Sequence, residues 1–216
     1  MPEPEPELAA ALARLDQITR RLRVECPWDR EQDERSIVPH TVEEAYELAD
    51  AAESGDDAKL LDELGDVLFQ VYFLSLLLEE RGAGSLADVA EHCRRKLVRR
   101  HPHVFGRAEA AAGGAPMPFP EAETAGEVMR NWSQIKRDDE RGGDLFGDLA
   151  ETLPSTLYAK KVLKRAQDAG LDRADGGDDY GDRLLRAVRD AVEAGLDPEL
   201  ELRRAADRYR REIERP

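Results

Sequence analysis

From Val67 to Leu78 the chain reads VLFQVYFLSLLL, a run interrupted in polarity only by Gln70 and Ser75. So apolar a stretch leaves almost no helix surface for water, which predicts a helix buried on nearly all sides. It is too short to cross a bilayer, which takes about 20 residues. One small domain has difficulty surrounding such a helix alone, so a partner subunit, most simply a second copy in a homodimer, is expected.

Glu63 and Asp66 stand immediately before this run, and Glu43, Glu44 and Glu47 precede them across the turn Ser54-Gly55-Asp56-Asp57. Side chains three or four residues apart share a helix face, so Glu44/Glu47, Glu43/Glu47 and Glu63/Asp66 each project together. Two helices joined by that turn pack antiparallel, which brings the acidic faces opposite each other. Like charges held together raise one another's pKa unless a cation compensates them. Hard divalent cations take oxygen ligands, and Mg²⁺ combines a few carboxylates with waters and substrate phosphate oxygens. Two plainer readings stand beside this one. Acidic residues at helical spacing form solvated faces in a chain with 37% charged residues, and Thr41 with Glu44 fits a capping box.

Scarce β-branched residues and abundant Ala, Leu, Glu and Arg favour an all-α fold. A net charge of −15 argues against a sequence-independent nucleic-acid binder and against an anionic membrane surface. A polyanionic ligand would then need a metal and a local group of cations. Cys26 and Cys93 make neither a disulfide framework nor a C-x-x-C pair, which suits reduced thiols in the cytoplasm. Residues 1–7 lack the basic start and apolar core of a signal peptide and read as a disordered tail.

Leu8 to Val24 carries a helical apolar stripe that Cys26-Pro27 breaks, because a residue before proline leaves the α region. Trp28, next in line, either plugs its loop onto the bundle or stacks on a base. Pro39 and His40 lead into the acidic helix, with His40 a polar loop residue. A helix over 86–100 ends in Arg94, Arg95, Lys96, Arg99 and Arg100, more cations than the helix dipole requires. Lys96 and Arg100 share a face at i, i+4, suited to phosphate oxygens. His101-Pro102-His103 reads as a structural turn. Residues 107–148 form an Ala-, Gly- and Pro-rich linker with a short helix bearing Trp132 and Lys136 at i, i+4. Helices follow over 153–169, 182–194 and 198–214.

The pattern E-E-x-x-E, a gap, then E-x-x-D resembles the MazG family of nucleoside triphosphate pyrophosphohydrolases. The likeness runs over roughly 8–106, taking in Cys26-Pro27-Trp28-Asp29 and the stretch Lys96 to Phe105, with a further patch from Trp132 to Lys136. It implies a four-helix-type bundle and Mg²⁺-dependent hydrolysis of a nucleoside triphosphate to monophosphate and pyrophosphate, with Mn²⁺ as a substitute. Glu44, Glu47, Glu63 and Asp66 would hold the metal. Glu43 would bind a second ion or orient water, so Glu43, Glu44 and Glu47 are the candidate catalytic residues. Lys96, Arg100 and Lys136 would contact phosphates, and Trp28 and Trp132 are candidates for the base. Longer relatives carry two copies of the domain; here 149–216 repeats none of the acidic set and is read as a metal-free remnant of the second. The rivals are a narrower enzyme acting on dUTP or phosphoribosyl-ATP, and a non-catalytic helical regulator. A di-iron protein is disfavoured, because no histidine follows a Glu at i+3.

Overall fold

The computed structural model describes residues 6–106, 124–128, 131, 135, 145–146, 149–150, 152–171 and 177–214. Among these, the regular structure is entirely α-helical, as the composition predicts. The chain divides into two compact units, Met1–Arg99 and Arg100–Pro216.

In the first unit, α1 (Pro6–Glu25) is followed by the short α2 (Pro27–Glu31), the long pair α3 (Glu34–Ser54) and α4 (Asp57–Glu80), and α5 (Leu86–Arg100). Cys26, extended at φ −80° and ψ 123°, separates α1 from α2, and Pro27 opens α2 at its first turn. The α3–α4 hairpin is the heart of the unit. Ser54 ends α3, Gly55 takes a left-handed φ of 68° that few other residues adopt, and the Asp56 carboxylate caps α4 by accepting from the amides of Ala58 and Lys59. The core lies at the other end of the hairpin, where Ile37 meets Phe73 and Leu77, with Phe69 and Leu74 packed against them.

Three expectations change here. The helix α3 begins at Glu34 rather than near Thr41, so Pro39 and His40 lie inside it. A capping box between Asp33 and Ser36 starts the helix upstream, and proline's fixed φ is itself helical, so Pro39 removes one hydrogen bond without ending the helix. Thr41 therefore caps nothing; its hydroxyl donates to the Ile37 carbonyl. Within the chain the apolar run keeps one open side: Tyr72, Phe73, Leu76 and Leu77 are buried, while Leu68 and Val71 are exposed and continue a stripe at helical spacing that Leu61 and Leu64 begin before the run. Finally, α1 begins at Pro6, inside the stretch read as a tail.

Arginines fasten α1 to the far end of α4. Arg20 donates two hydrogen bonds to the Glu79 carboxylate at 3.0 and 2.6 Å, and Arg23 reaches both oxygens of Glu80 at 2.8 and 2.9 Å. Arg23 also donates to the carbonyls of Asp29 and Gln32, tying down α2. These guanidinium groups hold the Glu79 and Glu80 carboxyls below the usual carboxylate range.

The second unit contains α6 (Ser155–Asp168), α7 (Tyr180–Glu193) and α8 (Pro198–Glu214), at the positions the periodicity predicts. Asp197 caps α8 and accepts from the Lys160 ammonium at 2.5 Å, while the Thr156 hydroxyl donates to Glu199. Among the described residues no helix is long and apolar enough to cross a membrane.

Candidate metal centre and nucleotide site

Because α3 and α4 run antiparallel, successive turns of one face successive turns of the other. Ile37 meets Phe73 in the core, and the Thr41 hydroxyl lies 3.5 Å from the buried Gln70 amide oxygen. Continued toward the Gly55 turn, the same register brings Glu44 opposite Asp66 and Glu63. One carboxylate oxygen from each of Glu44, Glu63 and Asp66 lies within 4.8 Å of the other two.

Electrostatics report the same crowding. The Glu44 carboxyl is pushed up by desolvation first, then by the charges of Asp66, Glu47 and Glu63, and it shares a hydrogen bond with Glu47. Desolvation likewise raises Glu63, with Glu47, Asp66 and Asp62 adding to it. Glu47 is thus electrostatically coupled to both, although it stands outside the tight triplet. A set of hard oxygen donors whose protonation is favoured by mutual repulsion fits a hard divalent cation, which removes the repulsion without a proton.

Glu43 goes elsewhere. Neighbouring helix positions are turned about 100° apart, so Glu43 and Glu44 cannot face the same point. Its carboxylate lies 3.3 Å from His40 Nδ1, and the His40 ring stands edge-on to Trp28 with centroids 5.8 Å apart. His40, expected in a loop, lies on α3 itself. Its spacing from Glu43, Glu44 and Glu47, at i+3, i+4 and i+7, was the available signal.

On α5, Lys96 is half-buried and Arg100 buried. Part of the surplus of cations there is consumed locally. Arg94 and Arg95 lie 2.7 and 3.8 Å from Glu91, holding that carboxyl below its usual range, Arg94 contributing most. Trp132 and Lys136 lie outside the described residues.

Comparison with known proteins bears directly on this hairpin. The MazG nucleotide pyrophosphohydrolase domain matches residues 32–105, the segment that contains all the acids just described. The chain is 31% identical to the nucleoside triphosphate pyrophosphohydrolase of Escherichia coli K12, across 88% of this chain and 81% of that protein. It belongs to the MazG family. Other relatives extend the likeness along most of the chain. The nucleoside triphosphate pyrophosphohydrolase/pyrophosphatase MazG of Thermotoga maritima is 29% identical over 85% of this chain and 76% of its own length. An uncharacterized 26.1 kDa protein of Streptomyces cacaoi is 37% identical over 93% and 80%.

Proposed function

We propose that this MazG-family chain hydrolyses nucleoside triphosphates to nucleoside monophosphate and pyrophosphate, with a divalent cation held by Glu44, Glu47, Glu63 and Asp66. The observation that carries this reading is the convergence of Glu44, Glu63 and Asp66 from two helices inside the segment that matches the MazG domain. Mg²⁺ suits the all-oxygen donor set, with Mn²⁺ as a substitute. When bound, the cation supplies charge neutralisation at the phosphate oxygens.

The chain's own groups do the rest. Glu47, on the rim of the triplet, completes the ligand set. Glu43 faces His40, away from the triplet, so we do not assign it the attacking water. Lys96 and Arg100, one turn apart on α5, are the candidate partners of the phosphate tail, and stabilise charge developing on pyrophosphate. Lys136 and Trp132 are assigned to the phosphates and the base on their sequence match alone. We also assign the exposed stripe Leu61, Leu64, Leu68 and Val71 to a homodimer contact, and the protein to the cytoplasm. Residues 149–216 remain our candidate for a metal-free remnant of a second domain copy.

The test is pyrophosphate release from a panel of standard and modified triphosphates with Mg²⁺, for the parent and for Glu47→Gln. Turnover by the parent and its collapse in the variant are expected. Undiminished turnover by Glu47→Gln removes Glu47 from the ligand set.

A further inference from the structure

We propose that Gln70 is a positioning residue for the metal centre, its side-chain amide donating to the carboxylates of Asp66 and Glu44 and holding them in the orientation that takes a cation. The inference rests on the metal and nucleotide reading above and adds to it a neutral group that acts through the ligands.

The facing sides of the hairpin are layered. On α4, Glu63, Asp66, Gln70, Phe73 and Leu77 recur at alternating steps of three and four, the pattern of a seam between helices. Ile37, Thr41 and Glu44 recur in the same way along α3. An apolar layer of Ile37, Phe73 and Leu77 is followed toward the Gly55 turn by the neutral polar pair Thr41 and Gln70, and then by the acids. A polar pair in such a seam fixes register, and contact through one atom would do that much.

Gln70 has more bonding capacity than that contact uses. It is only 6% exposed, and its amide oxygen shares the Thr41 hydroxyl with the Ile37 carbonyl, at 3.5 and 3.3 Å. The amide nitrogen, with two hydrogens to give, has no partner among the described residues. An unused donor on a side chain so deeply buried is unfavourable and calls for an acceptor. Helix side chains lean toward the N-terminus of their own helix, so Gln70 reaches back over the turn that carries Asp66, toward the acids. The chemistry matches. Carboxylates crowded by their own repulsion gain from a donor that favours their charged form, and a neutral amide does this without competing with the cation as an ammonium would.

The test follows binding of Mn²⁺ alone to the full chain, by electron paramagnetic resonance of the free ion, beside metal-free melts by circular dichroism. Gln70→Met keeps the length of the side chain and leaves Thr41 bonded to Ile37, so the metal-free variant should melt at or above the parental temperature. Its Kd for Mn²⁺ should nonetheless rise about tenfold or more, the scale seen when a hydrogen-bond partner of a metal ligand is lost. Thr41→Val, which removes the anchor of the amide, should show a smaller rise, and Thr41→Ser should restore parental binding. An unchanged Kd in folded Gln70→Met overturns the proposal. Should Gln70→Met melt below the parent or fail to fold, the Thr41 pair decides: Thr41→Val binding as tightly as the parent, or Thr41→Ser as weakly as Thr41→Val, overturns it equally. A parent that binds no Mn²⁺ sinks the metal reading itself. A parent that binds Mn²⁺ through Gln70 as described but releases no pyrophosphate from nucleotides sinks the hydrolytic reading and leaves Gln70 in its role.

Discussion

The acidic hairpin α3–α4 and the C-terminal helices α6–α8 treat their carboxylates in opposite ways. In the C-terminal unit several of the described acids sit beside cations. Burial pushes Asp197 up, yet Lys160 and the amides of Leu200 and Glu199 bring its carboxyl below its ordinary value. Glu201 pairs with Arg204 at 2.5 Å and Asp207 with Arg210 at 3.3 Å. In the hairpin, Glu44 and Glu63 rise because they are desolvated beside other acids. One region uses charge to hold its shape; the other keeps unfavourable charge that its own fold does not require. Carboxylates maintained against their own repulsion mark a place prepared for something positive.

The sharpest way to break that contrast is Glu47→Gln. We expect pyrophosphate release to fall by about a hundredfold or more, by analogy with the effects of disturbing metal-site shells. The metal-free variant should nevertheless melt at a higher temperature than the parent, since one repelling charge is gone. A lower melting temperature would mean that Glu47 supports the fold instead.

Next in size is Lys96→Ala. If Lys96 grips the phosphate tail, KM should rise about tenfold, the effect of losing roughly 1.4 kcal/mol of charge-assisted bonding, with kcat less affected. An unchanged KM would remove it from the phosphate site.

A thermal-melt series across pH sharpens the comparison further. A carboxyl with a raised folded-state pKa binds more protons folded than unfolded, so its contribution to stability is present at low pH and lost as pH rises through the raised value. Glu44 and Glu63 should therefore make the metal-free hairpin weakest near neutrality. Mg²⁺ should raise the melting temperature there, and this gain should fade as pH falls through their elevated range and protons replace the cation. Asp197, Glu79 and Glu80 act with the opposite sign, their contributions being lost on acidification. A Mg²⁺ gain that persisted unchanged in acid would point to ligands other than these carboxylates.

The smallest effect belongs to Lys160→Ala. The pair with Asp197 is partly exposed, at 33% and 29%, so its loss should lower stability by up to about 1 kcal/mol in a denaturant titration. Turnover per folded molecule should stay at the parental level. A marked drop in turnover would show that the C-terminal helices do more than hold themselves together.

Much of this was readable in the chain itself. Glu44, Glu63 and Asp66 announce themselves through helical spacing on either side of a Gly-Asp turn, and the antiparallel hairpin follows from the shortness of that turn. The start of α3 was harder, because Pro39 ordinarily punctuates, and only the reciprocal bonds of Asp33 and Ser36 reveal a helix already under way. Glu43 could have been set apart from Glu44 by the 100° between adjacent positions. The exposed side of α4 was not legible, since an apolar run does not say whether its own chain or another covers it. The Trp28–His40 ring contact required tertiary geometry, its residues lying on two different helices.

Arg23 spends its whole fork at once, giving Nε and Nη2 to Glu80 and Nη1 to two backbone carbonyls. A lysine there would preserve the net charge and look conservative on paper. Its single ammonium radiates from one point and cannot span those directions. The indole-bearing segment would lose its moorings through a swap that leaves every electrostatic total untouched.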